Sequence, residues 1–271
     1  GGGSNTYFDG LSFNVNGNAR GMGISIGSNT NNVTFRKNSL YGIRAVNYSN
    51  HSLLFITNEG YGRNYSIQDN VMYDVPSRGY GLLGYKAKDV LVENNTFHNI
   101  NNNPLSPKSY TLRWDIRGNR FYNNPVSSIM VQYYSTQATP SGDIQISHNL
   151  VETGGGKVVI NQQQATFGFP VYVFRNTFMD EAVQDKSTST NGIFSWTENV
   201  IVNETTYPDQ IQRLNIVDPS RVVVTNNLTG SSSDNILDSQ GYLTQNYNMY
   251  IGSRGHQLGK RISAPTALSI Q

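Results

Sequence analysis

One short phrase recurs along this chain and limits what it can fold into. A strand-like run is followed by asparagine, one further residue and a large apolar residue. VTFRKNSL, Val33 to Leu40, is the first clear copy, with Asn38 in the slot. Later copies place Asn70, Asn95, Asn119, Asn149, Asn176, Asn199 and Asn227 there, and a weaker first copy, TYFDGLSF, has Leu11. Successive slots are 27, 32, 25, 24, 30, 27, 23 and 28 residues apart. Self-similarity at such a period is the signature of a repeat architecture.

Within the copies apolar residues alternate, as in Val33 and Phe35, Ile144 and Ile146, or Val222 and Val224. A period of two predicts a strand. Asparagine tolerates left-handed backbone angles, so the slot asparagine itself is expected to make the turn, with the next apolar residue pointing back inside. A second strand phrase often precedes each copy: MGISIG, SLLFIT, YGLLGY, SIMVQY and KVVINQ. Two or three short strands per unit suit a coil in which each strand lies about 4.8 Å from its counterpart in the next turn. Leucine-rich repeats need a longer leucine consensus, propellers need about 40 residues per blade, and TPR-like arrays need helices. The expected fold is therefore all-β: a single-stranded parallel β-helix of about nine coils with an asparagine turn ladder.

Composition agrees. Charged residues are 14% and hydrophobic residues 37%, enough for a narrow continuous core. The net charge of +2, with no long Lys/Arg run, argues against a nucleic-acid partner. There is no cysteine, which excludes disulfides and thiol chemistry. No apolar stretch is long enough for a membrane span. No signal peptide is read in the sequence. The opening GGGSNTYF reads as a processed end, a linker or a cut inside a longer protein.

GISIG followed by NNVTFRKNSLYG resembles the repeats of right-handed parallel β-helix proteins of the pectate-lyase-like superfamily, over roughly Thr6 to Leu228. The tail YLTQNYNMYIGSRGHQLGK resembles the closing segment of secreted polysaccharide-degrading β-helices. The resemblance implies right-handed winding, a secreted or cell-surface location and a polysaccharide substrate. It divides the chain into a β-helix over 1–241, a closing segment over 242–262 and a linker-like tail over 263–271 that leads toward a possible further module. Such folds host many activities.

In that family the strand before each asparagine copy lines the substrate groove. With Ile129 and Val131 inside, alternation sends Ser128, Met130, Gln132 and Tyr134 outward. With Val158 and Ile160 inside, it sends Lys157, Val159 and Asn161 outward. Tyr85 with Lys86, the loop from Lys108 to Arg113, and Asp185 with Lys186 extend the patch. Long excursions between strands, Asn99 to Arg113 among them, are expected to be loops. A lyase needs a base, a cation for the enolate-like charge and an acid for the leaving oxygen. Lys108 and Lys157 are the candidate bases, provided that burial lowers their pKa. Arg113 is the candidate carboxylate clamp and Tyr134 the candidate acid. His51, Tyr85, Lys86, Gln132, Tyr133, Asn161, Gln163 and Asp185 are candidate substrate contacts.

The sequence shows no clustered Asp/Glu set resembling a pectate-lyase calcium site, so it assigns no metal ligands; calcium stays open only through the resemblance. Paired carboxylates for a hydrolase are not identifiable, although Asp180, Glu181 and Asp185 lie close in sequence. His98 and His148 read as structural turn residues. The leading expectation is a polysaccharide lyase acting on a uronic-acid polymer by β-elimination. The alternatives are a glycan-binding, adhesin or tailspike-like module and a glycoside hydrolase.

Overall fold

The structure is a computed structural model that describes residues 4–15, 22–27, 30–43, 51–57, 63–76, 78–134, 142–152, 158–163, 170–178, 183–185, 194–197, 199–203, 222–225 and 228–231. The closing segment and tail expected over 242–271 lie outside the described residues, as do Lys157, Lys186, Asp180 and Glu181.

Three parallel sheets wind around one core. The first is formed by β1 (Ser4–Asp9), β4 (Asn31–Arg36), β7 (Arg63–Gln68), β10 (Lys88–Glu93), β13 (Leu112–Arg117), β16 (Gly142–Ser147), β19 (Val171–Phe174), β22 (Phe194–Thr197) and β24 (Val222–Thr225), in that order. The second has β2 (Ser12–Asn14), β5 (Ser39–Tyr41), β8 (Val71–Val75), β11 (Thr96–Ile100), β14 (Arg120–Tyr122), β17 (Leu150–Val151), β20 (Thr177–Phe178), β23 (Val200–Asn203) and β25 (Leu228–Ser231). The third, of seven strands, has β3 (Met22–Ile26), β6 (Ser52–Thr57), β9 (Tyr80–Tyr85), β12 (Asn103–Lys108), β15 (Ile129–Tyr134), β18 (Val158–Gln163) and β21 (Val183–Asp185). The described residues contain no helix. The chain is an all-β parallel β-solenoid.

The core follows from register. Val33, Tyr65, Val90, Trp114, Ile144 and Val171 stack in one column of the first sheet. Phe35, Ile67, Val92, Ile116, Ile146, Val173 and Trp196 stack in the next inward column. All are buried. Burial of each such side chain contributes about 1.5–3 kcal/mol, but only when a neighbouring turn supplies the other wall. That dependence makes the repeats cooperative. Gly84 admits the Trp114 indole: a Cβ there would stand 2.3 Å from a ring carbon. The indole Nε1–H donates to Ala87 O at 3.0 Å.

The asparagine ladder is present and buried. Asn38, Asn70, Asn95, Asn119, Asn149 and Asn176 each donate Nδ2–H to the Oδ1 of the next asparagine at 2.9–3.0 Å, ending on Asn199. The same Oδ1 accepts the backbone N–H of the preceding slot, as at Asn70 N to Asn95 Oδ1, 2.9 Å. In the first turn Leu11 N–H donates to Asn38 Oδ1 at 2.9 Å. Asn227 lies outside the described residues.

The left-handed turn is not made by the ladder asparagine, as the sequence suggested, but by the residue before it. Gly10, Lys37, Asp69, Asn94, Gly118, His148 and Arg175 have φ of 68, 54, 55, 56, 66, 56 and 56°. The turn residue is exposed or half-buried and varies in type from copy to copy. The slot is selective because only a short amide reaches both the neighbouring amide and the buried carbonyls.

A second correction concerns Asn99 to Arg113, which is not a loop. β11 closes in it, β12 occupies Asn103–Lys108, and β13 opens after Thr111. Pro104 and Pro107 disguised β12, since proline supplies no ladder donor. His98 likewise lies in β11, stacked between Tyr73 and Tyr122 at 5.0 and 4.7 Å, whereas His148 is a turn residue.

Candidate functional site

The third sheet orders its residues in columns. One outward column runs Thr57, Tyr85, Lys108 and Gln132, and the backbone of Asn161 continues its register. Beside it lies Phe55, Leu83, Ser106, Met130, Val159; Ser106 Oγ–H donates to Met130 O at 2.9 Å. Tyr85, Lys108, Gln132 and Asn161 are thus brought together, as the sequence indicated. Tyr134 and Gln163 pair with each other farther along, and Asp185 pairs with Ile160, in the register of Val131 rather than that of Lys108. The backbones of Tyr133, Tyr134, Asn161, Gln163 and Asp185 are described; their side chains lie outside the described residues.

This outer face is not an open solvated surface. Ser128, Val159 and Gln132 are buried, and Lys108 is only 5% exposed. Lys108 Nζ–H donates to Tyr80 Oη at 3.1 Å. The same Nζ stands 4.9 Å from the centroid of the Tyr80 ring and 5.6 Å from that of Tyr85. Tyr80 and Tyr85 are the two ends of β9, so the lysine stem runs back along the sheet and its amine sits between the rings.

Burial lowers the Lys108 pKa below the ordinary lysine value, with the charge of Tyr85 opposing. Burial raises the Tyr80 phenol, with side-chain hydrogen bonds from Asn102 and Asn103 opposing. Asn103 Nδ2–H donates to Asn102 Oδ1 at 3.0 Å, and Ser127 Oγ–H donates to Asn103 Oδ1. Both effects disfavour the charged forms of a lysine and a tyrosine that are in direct contact. A neutral amine takes up a proton and a phenol gives one.

Tyr80 was missed by the sequence reading because strict alternation places it inside. Gly81 and Leu82 both face the core: a Cβ on Gly81 would meet Phe97 and Ile100, and Leu82 belongs to the buried cluster. The alternation slips there and turns Tyr80 outward.

Other candidates stand apart. Arg113 is on β13 of the first sheet, and its guanidinium pairs with Asp89, including a 2.8 Å bond from Nη2. It is not a clamp in the groove. Lys86 follows Tyr85 at the corner, with its amine 5.7 Å from the Tyr110 ring centroid, and is the cation next along the chain from the Tyr80–Lys108–Tyr85 cluster. His51 is buried before β6, where its carbonyl accepts Tyr80 N–H at 2.7 Å. Among the described residues no group of three His, Cys, Asp or Glu residues is arranged to hold a metal.

No family model matches the chain, and searches of curated proteins and of solved structures return no significant relative.

Proposed function

We propose that the chain is a right-handed, single-stranded β-helix of about nine coils of the pectate-lyase-like kind. In this reading it is secreted or held at the cell surface, and it cleaves a uronic-acid polysaccharide by β-elimination. The observation that carries the reading is the buried Lys108 amine in contact with the Tyr80 hydroxyl on the outer face of the third sheet. Lys108 removes the proton next to the uronate carboxylate. The electron pair forms the carbon–carbon double bond as the glycosidic oxygen leaves. Tyr80 protonates that oxygen and regains its proton from the Lys108 ammonium along the 3.1 Å hydrogen bond. Lys86 supplies positive charge toward the carboxylate. Gln132, beside Lys108 in the same column, contacts the sugar hydroxyls.

A glycan-binding module is the second reading. The Tyr80 and Tyr85 rings beside the Lys108 amine support it, because aromatic faces next to a polar group suit a sugar ring without any proton transfer. One assay separates the readings. The protein is incubated with a panel of uronic-acid polymers, and the ultraviolet absorbance of the unsaturated product is followed. The lyase reading expects absorbance to grow on at least one polymer, and Lys108→Gln to lower the rate at least about 100-fold. Binding without absorbance on every polymer favours the module. New reducing ends without absorbance indicate a hydrolase.

A further inference from the structure

The outer face of the first sheet carries a second feature. A groove of about 350 Å³ runs across β1, β4, β7 and β10. Its floor is the outward column Tyr7, Thr34, Ser66, Leu91, one residue per turn. Asn32 and Asn64 form one wall. We propose that this groove binds a neutral glycan chain lying along the solenoid axis.

Three observations point to that ligand. The first is electrostatic. Asp89 is the one charged residue lining the groove, and Arg113 pairs with it. A charged polymer finds no unpaired counter-charge among these lining residues. The second is hydrogen-bonding capacity. Asn64 Nδ2–H donates to Asn32 Oδ1 at 2.9 Å, and Asn32 Nδ2–H to Asn5 Oδ1 at 3.1 Å. These contacts fix both amides in one sense. Each amide has two N–H donors and two acceptor sites, so each keeps capacity toward the groove beside the hydroxyls of Thr34 and Ser66. The polar groups repeat about every 4.8 Å along the axis, close to the length of one sugar unit. The third is the Tyr7 ring, 68% exposed at one end of the groove. An exposed tyrosine offers a flat apolar face and a polar tip to a sugar ring. Leu91 supplies an apolar patch at the other end.

The inference does not rest on the chemistry at Lys108. It is tested by calorimetric titration of the protein with cellohexaose, xylohexaose and mannohexaose, and with a galacturonate oligomer as charged control. The expected result is saturable binding of at least one neutral oligosaccharide, weakened tenfold or more in both Tyr7→Ala and Ser66→Arg, each verified as folded by circular dichroism. No binding of the neutral oligosaccharides, binding of the galacturonate oligomer alone, or neutral binding unchanged in Ser66→Arg would overturn it.

Discussion

Asn119→Ala lowers the free energy of unfolding by about 3 kcal/mol or more, a large share of a domain's usual margin. The Asn119 side chain sits in the middle of the ladder. Its Nδ2–H groups donate to Val92 O, Arg117 O and Asn149 Oδ1 at 2.9, 3.0 and 2.9 Å. Its Oδ1 accepts Asn95 N–H and Asn95 Nδ2–H at 2.9 and 3.0 Å. Alanine removes all five bonds at a site with no exposure. The Asn95 N–H and the Val92 carbonyl are then left in the interior, and each such stranded group costs about 1–3 kcal/mol. Asn38→Ala is expected to cost less. Two of the bonds it breaks, from Leu11 N–H and to Phe8 O, are only part-buried, so water replaces them in part. Urea unfolding of the two variants measures the difference. Equal midpoints would show that the ladder amides do not act through burial.

Lys108→Met is expected to do the opposite, raising stability by about 1 kcal/mol at neutral pH and, if the proposed lyase chemistry holds, abolishing turnover. Methionine keeps the unbranched stem and removes a charge that burial disfavours. Tyr80 retains its hydrogen bonds with Asn102 and Asn103. The pH dependence has a definite sign. The Lys108 pKa is lowered in the folded state, against about 10.4 for an unperturbed lysine. Below the folded value both states bind the proton, and the full penalty of burying the ammonium is present. Between the two values the unfolded chain binds more protons, so wild-type stability gains with rising pH. The advantage of the methionine variant is therefore largest on the acidic side of the folded pKa and shrinks toward the unfolded one. Thermal unfolding at several pH values reads this directly. A variant less stable than wild type at neutral pH would mean that the lysine is held for structure. Gain of stability on losing a functional group is the usual mark of a site held at some cost to the fold.

The solenoid was legible because its signals are local and repeated. Among the described residues, the asparagine slots from Asn38 to Asn199, the apolar alternation and the strand phrases became ladder positions or strands in the expected order. What failed depends on the third dimension. β12 was hidden by Pro104 and Pro107, whose lack of an N–H reads as a loop in sequence. The left-handed residue was misplaced by one because sequence weighs the backbone tolerance of asparagine above the reach of its amide. Arg113 looked like part of the groove from its distance to Lys108 along the chain, yet a corner intervenes and Asp89 takes its guanidinium. Tyr80 escaped because Gly81 and Leu82 both turn inward, which no alternation rule anticipates. Lys108 was legible as a residue, but the surroundings that alter its chemistry were not.

The proposed β-elimination requires a Lys108 amine that loses its proton more readily than an ordinary lysine where it meets Tyr80. The most direct measurement is an NMR titration of the Lys108 side chain in protein labelled at lysine, assigned by comparison with Lys108→Met. The Lys108 signal is expected to titrate below the usual lysine value of about 10.4. A Lys108 that titrates at or above that value would contradict the proposed elimination.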